Sequence, residues 1–299
     1  MPSLSFTVPQ EYDGVMVKSF LRSFCKVSAR LLTKLKRQEN GIIANGRGVR
    51  AIDRLCAGDR LCLFWEETNA PLPQNETAVP VIYEDETVVV FDKPSDMPVH
   101  PSPGHDRDTL ANAAAAFAAK KGECWAFRPV YRLDRDTTGL VVIAKDAYVA
   151  ARLAGQVSKR YIAVCEGVVS GDGVIDKPIR LKDGHTIQRE AGKGGERAVT
   201  HYKALKSGGG HTALSIRLET GRTHQIRVHL SSTGHPLAGD DMYGGGRSLI
   251  KRQALHCESV RFIHPVTQKE IRLQSFLPND MAVLLKRCQI DAEWAETVR

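Results

Sequence analysis

His201-Tyr202-Lys203-Ala204-Leu205-Lys206-Ser207-Gly208-Gly209-Gly210-His211-Thr212-Ala213-Leu214-Ser215-Ile216-Arg217-Leu218 is the stretch that decides the fold class. Thr212, Leu214, Ile216 and Leu218 alternate with Ala213, Ser215 and Arg217, the period of a strand with one face turned to a core. Residues 200–205 read as a preceding strand, and Ser207 to Gly210 is turn chemistry that joins the two as a hairpin. Working outward, further strands are predicted at about 81–91, 140–145 and 160–165, and helices at 109–119, 147–157, 224–232 and 280–287. Hairpins in place of regular strand–helix–strand crossovers predict an α+β fold with a mixed, mainly antiparallel sheet.

The segment before it has a different character. Val17, Phe20, Leu21 and Phe24 share one face of a helix over 15–24. Ser28 is a good N-cap for a second helix running to about Arg37, with Leu31, Leu32 and Leu35 facing inward. On that helix Arg30, Lys34 and Arg37 form a basic stripe at i, i+4 and i+7. Ile42-Ile43, an Asn45-Gly46 turn, a Gly58-Asp59 turn and Arg60 to Trp65 complete a small α/β unit. Residues 67–80 are polar and carry three prolines, a linker composition. The expected division is therefore 1–66, a linker at 67–80, and 81–299.

Charge separates the two parts. The chain has 299 residues and a net charge of +8. Residues 17–60 hold 11 Lys and Arg against three Asp and Glu, so they account for all of it. Such a concentration marks a polyanion-docking module. With 42% hydrophobic residues the chain is too apolar for disorder, and no 18-residue apolar run suggests a membrane helix. Met1 to Asp13 lacks the pattern of a signal peptide. The seven cysteines are odd in number and scattered, which argues for buried free thiols in a reducing cytoplasm.

Three segments could carry chemistry. The first, Arg132-Leu133-Asp134-Arg135-Asp136-Thr137-Thr138-Gly139, is a polar loop feeding the apolar run Leu140 to Ala144. Asp136, followed by Thr-Thr-Gly, suits a turn; Asp134 has no such local role. In the second, Gly221-Arg222-Thr223-His224-Gln225-Ile226-Arg227-Val228-His229, Thr223 can cap a helix, which would place Arg222 just outside its start, ready to hold a carboxylate ionised. His224 and His229 do not share a helical face, so a metal site is disfavoured. His256 and His264 read as structural. The third segment, Lys159-Arg160-Tyr161, places an aromatic ring after two cations, either an ordinary strand tyrosine or a base-stacking face.

Taken together these segments resemble the RluA-type pseudouridine synthases. The matching blocks are Asp92-Lys93-Pro94 with Met97-Pro98-Val99-His100-Pro101, Arg132-Leu133-Asp134 with Thr137-Thr138-Gly139, Lys159-Arg160-Tyr161, Thr220 to Arg227, His235-Pro236 with Gly239-Asp240, and Ala254-Leu255-His256. They span about 80–280 in the family's order. Residues 12–65 resemble, less strongly, the S-four-type RNA-binding domain, through Ser28-Ala29-Arg30, Asn45-Gly46 and Gly58-Asp59.

The resemblance implies the pseudouridine synthase fold and an isomerase that converts uridine to pseudouridine in structured RNA, with ribosomal RNA favoured and transfer RNA the alternative. It implies Asp134 as the essential aspartate, Tyr161 packed on the target base, and Arg222 paired with Asp134. Arg30, Lys34, Arg37, Arg132, Lys159, Arg160 and Arg227 are the expected RNA contacts. No cofactor and no metal are expected, and a monomer working in the cytoplasm away from membranes. Tyr131 stands where the family usually has His, a departure that bears on subfamily and target. Two rivals remain: a catalytically silent RNA-binding or ribosome-assembly protein, and a hydrolase needing a second carboxylate about 5 Å from Asp134.

Overall fold

The computed structural model describes residues 3–65 and 77–291. Most of the expected linker, from Glu67 to Glu76, lies outside the described residues.

The deciding hairpin forms and extends beyond its expected ends. Val199–Gly208 pairs antiparallel with His211–Leu218, and Gly209-Gly210 makes the turn. Both turn glycines have positive φ, 52° and 73°, the backbone that a two-residue hairpin loop needs. Leu214 and Ile216 are buried, as the alternation requires.

This hairpin belongs to a ten-stranded sheet. Its path runs Asp172–Asp176, Val199–Gly208, His211–Leu218, Ser158–Glu166, Leu255–Ile263, Thr138–Ala144, Val88–Lys93, Val81–Glu84. Glu270–Gln274 and Arg128–Pro129 attach to its middle strands. Among these pairings only Leu255–Ile263 with Thr138–Ala144 is parallel, so the sheet is mixed and mainly antiparallel. Those two strands meet where His256 faces Thr138 and Cys257 faces Gly139. A Cβ at residue 139 would run into the Cys257 carbonyl, and its φ of 111° is tolerated by glycine alone. Thr138–Ala144 is buried along its whole length, as a strand covered on both faces must be.

The expected helices form at Leu110–Lys120, Ala147–Leu153, Gln225–Ser231 and Asn279–Arg287. Among the described residues no helix is long and apolar enough to cross a membrane.

In the amino-terminal unit Val17–Ser23 and Ala29–Arg37 are helical, and Ser28 Oγ accepts from the Leu31 N–H at 3.1 Å as a cap should. They pack beside a separate four-stranded antiparallel sheet, in the order Ser3–Thr7, Arg60–Phe64, Ile42–Ala44, Arg47–Gly48. Val17, Phe20, Leu21, Leu31 and Leu35 are buried. Leu32 and Phe24 depart from expectation. Leu32 lines a groove between the two helices, and Phe24 stacks on Phe20 at 5.0 Å but stays 41% exposed. The unit touches the rest of the chain where the Phe6 ring meets Tyr148 edge-on, 6.2 Å between centroids.

The seven cysteines are free. Burial pushes the Cys25, Cys165 and Cys257 thiols up to about 12, which makes them inert. Cys56 and Cys124 are exposed, against expectation, because both lie in connecting segments outside the helices and strands.

Candidate active site

Asp134 occupies the loop that leads into the buried strand Thr138–Ala144. Its own carbonyl accepts the Thr137 N–H at 3.1 Å, closing a turn. Leu133 beside it is buried, while the Asp134 side chain keeps 26% of its surface. The loop is pinned from below by Lys93, 1% exposed, whose ammonium donates to the carbonyls of Pro94, Met97 and Arg135, each at 2.8 Å. All three of its protons are thereby used. Burial pulls Lys93 down to about 7, while the charges of Asp136 and Asp134 oppose that.

The cation facing Asp134 is Arg227. Its Nη1 donates to Asp134 Oδ2 at 3.4 Å. Its Nε and Nη2 form a bidentate pair with Asp240, at 2.7 and 2.8 Å, and its guanidinium lies 5.0 Å from the Tyr243 ring centroid. Arg227 is 6% exposed and Asp240 1% exposed, so both charges are buried and each needs the other. Burial disfavours the Arg227 charge, but the Asp240 bonds and the charges of Asp240 and Asp134 outweigh it and hold the guanidinium ionised. Tyr243 is fixed in turn, its hydroxyl accepting the Arg189 N–H at 2.9 Å and bonding His224 Nδ1 at 2.8 Å. Burial keeps His224 below its ordinary value.

The expected partner, Arg222, lies elsewhere. It pairs with Glu196 and donates to the Arg197 carbonyl at 3.1 Å. The reason is local. The helix starts at Gln225, not at His224, because His224 adopts a left-handed φ of 57° and takes the capping position in place of Thr223, without a side-chain bond. Gln225 reaches back to accept the Arg222 N–H and the Thr220 hydroxyl. The first turn therefore presents Arg227, and Arg222 turns outward.

Tyr161 is 5% exposed, on the strand between Ile216 and Cys257. Burial first, then the charges of Cys257 and Asp134, raises its hydroxyl well above the usual phenol range, so it stays neutral. The Cys257 thiol lies close to both Tyr131 and Tyr161. The Tyr131 hydroxyl donates to the Leu140 carbonyl at 2.8 Å, and Lys159 Nζ sits 4.6 Å from its ring centroid. The residue that departs from the family pattern thus seats a neighbouring cation.

The expected RNA contacts divide. Arg132 is exposed. Lys159 is half-buried over Tyr131, and Arg160 is committed to Glu258 through two bonds at 2.7 Å. Arg227 is buried against Asp240 and Asp134 and so does not face a phosphate. Arg30 and Arg37 are exposed and Lys34 is half-buried. Asp136 pairs with Arg135, as a turn residue beside a cation would. Sequence reasoning missed the positioning roles of Lys93, Asp240 and Tyr243. Asp92-Lys93-Pro94 and Gly239-Asp240 stood among the matching blocks, but nothing in their spacing pointed toward Asp134.

Residues 87–232 match the family described as RNA pseudouridylate synthase. The chain is 38% identical over 268 residues to a protein described as uncharacterized RNA pseudouridine synthase YjbO, from Bacillus subtilis (strain 168), covering 87% of this chain and 95% of that one. The chain belongs to the RNA pseudouridine synthases. It is accordingly an isomerase acting on RNA. Within the family it is also 36% identical over 276 residues to ribosomal large subunit pseudouridine synthase D of Pseudomonas aeruginosa, covering 86% of each chain. It is 32% identical over 309 residues to the protein of the same description from Neisseria meningitidis serogroup B, covering 97% of this chain and 83% of that one. Among solved structures, human RNA pseudouridylate synthase domain containing 4 superposes with a TM-score of 0.57 at 25% identity, over 71% of this chain and 93% of that one.

Proposed function

We propose that this pseudouridine synthase modifies ribosomal RNA, with Asp134 as its catalytic residue and Arg227 as the residue that positions it. One observation carries the assignment of Asp134. It is a partly exposed carboxylate with one oxygen held by a buried, clamped guanidinium, while Oδ1 has no protein partner among the described residues. An oxygen so oriented and free is available to a nucleotide.

Pseudouridine formation breaks the C1′–N1 bond, turns the uracil and joins C1′ to C5, with loss of the C5 proton and gain of one at N1. Positive charge develops on the ribose as the first bond breaks. An ionised aspartate can stabilise that charge, add to C1′ or take a ribose proton. The target base must first leave its stack, at a cost of a few kcal/mol. Tyr161 and Leu133 supply aromatic and aliphatic walls that offset it.

Ribosomal RNA is favoured because relatives that match most of this chain are described as ribosomal large subunit synthases. The amino-terminal unit is the docking module of this scheme, an S-four-like RNA-binding domain. Two cationic surfaces support that role, the exposed Arg30 and Arg37 and a groove of about 400 Å³ lined by Lys18, Arg22 and Lys36. The enzyme works as a cytoplasmic monomer. Pseudouridine mapping of total RNA from cells with and without the gene tests the substrate. The expected result is loss of one or a few large-subunit sites; loss confined to transfer RNA would overturn it.

A further inference from the structure

A second cationic groove, of about 520 Å³, opens beside the Asp134 loop and has no part in holding Asp134. Its near wall is Arg135 and Asp136, the two residues after Asp134, with Ser95 and Asp96 from the loop that Lys93 pins. Its far wall is Arg247, Leu249, Ile250 and Lys251, with Val283 and Arg287 from the helix Asn279–Arg287. Arg252, 8% exposed, braces the wall by bonding Asp280 at 2.7 and 2.8 Å and the Asp136 carbonyl at 3.1 Å.

Five basic and three acidic residues line the groove, and the acids are already engaged. Asp136 is bonded by Arg135 at 3.1 Å, Asp96 lies 3.6 Å from the same guanidinium, and Asp280 is held by Arg252. Arg247 pairs with Asp241 outside the groove. Lys251 and Arg287 are exposed and have no carboxylate partner among the described residues. Two cations without a counter-ion therefore face a cleft whose wall is continuous with the catalytic loop, the Lys251 ammonium donating only to the Arg247 carbonyl at 3.1 Å. The apolar side chains of Ile250 and Val283 beside them suit a ribose or a base edge.

We propose that this groove is a phosphodiester subsite, in which Lys251 and Arg287 hold the RNA backbone next to the target nucleotide. The proposal rests on the enzyme acting at Asp134. The subsite fixes strand register without reading sequence, as backbone contacts do. Its cations attract every RNA alike, so it contributes to affinity and not to the chemical step.

The test uses the full chain, unmodified transcribed large-subunit ribosomal RNA, and the variant K251A/R287A. Each phosphate contact to a single strand contributes about 0.7 to the slope of log affinity against log salt, or about five-fold in affinity at 0.1 M. The variant should bind about 25-fold more weakly at 0.1 M salt, with a slope flatter by about 1.4 and unchanged kcat at saturating RNA. K120A/K269A, which removes the same charge from other exposed positions, should leave both unchanged. An unaltered slope in K251A/R287A, or an equal loss in K120A/K269A, would overturn the subsite. Binding is read apart from conversion. Failure of the wild-type chain to form pseudouridine in this RNA would instead count against the assigned substrate.

Discussion

Replacing Arg227 by Met should damage the protein in two separable ways. The substitution removes two short bonds to Asp240 and one longer bond to Asp134. Asp240, 1% exposed, would be left as a buried carboxylate with no cation. Breaking a buried pair in that way costs about 3–5 kcal/mol, a large share of a typical domain's stability but short of all of it. The carboxylate of Asp134 would also lose the group that orients it, and a misplacement of about 1 Å can cost about 10²-fold in rate. A second substitution separates the effects. In R227M/D240N the buried charge is gone, so most of the lost stability should return, with a coupling energy of at least about 2 kcal/mol. Turnover should not return, because Asp134 still lacks its partner. Stability is read by urea unfolding, and turnover by release of tritium from uridine C5 in RNA. Recovery of turnover along with stability in the double variant would show that Arg227 acts only as a structural residue, and the positioning argument would fail.

Further outcomes follow from the electrostatics. Burial holds His256 down to about 4, and His229, 0% exposed, is also lowered. The unfolded chain takes up protons at these residues that the folded chain refuses. Stability should therefore fall as pH drops from about 6.5 toward about 4, by about 3 kcal/mol for His256 alone. Urea unfolding at pH 7 and pH 4.5 measures it, and H256Q should weaken the dependence; equal midpoints at both pH values would contradict it. At the amino terminus, K18A/K36A and R30A/R37A should each flatten the salt dependence of RNA binding. Unchanged slopes in both would remove this unit from RNA contact.

The hairpin at 199–218 was legible because a glycine run and a period of two coincide there, and the pairing tolerates a register shift between Ala204 and Lys206. The strand Leu255–Ile263 was not legible, although it lies at the centre of the sheet. Its sequence mixes His256, Cys257, Glu258, Ser259 and Arg261 among apolar residues. The polarity is satisfied by long-range partners, His256 by Thr138 at 2.9 Å and Glu258 by Arg160, which no local pattern reveals. The site shows the same boundary. Asp134 stood out as the carboxylate without a turn role. Which arginine faces it depended on where a helix begins, and the left-handed His224 moved that start by one position. Nothing local marked the pinning role of Lys93, because its three carbonyl partners come from two loops that meet only in the fold.

On the proposed assignment, Asp134 performs the isomerisation and holds neither the fold nor the RNA. The direct measurement is pseudouridine formation by D134A in a ribosomal RNA transcript that the wild-type enzyme modifies, with RNA affinity and unfolding midpoint measured on the same preparation. The expected result is no detectable pseudouridine, with affinity and midpoint close to wild type. Turnover within ten-fold of wild type would contradict it, as would loss of turnover only together with loss of binding and folding.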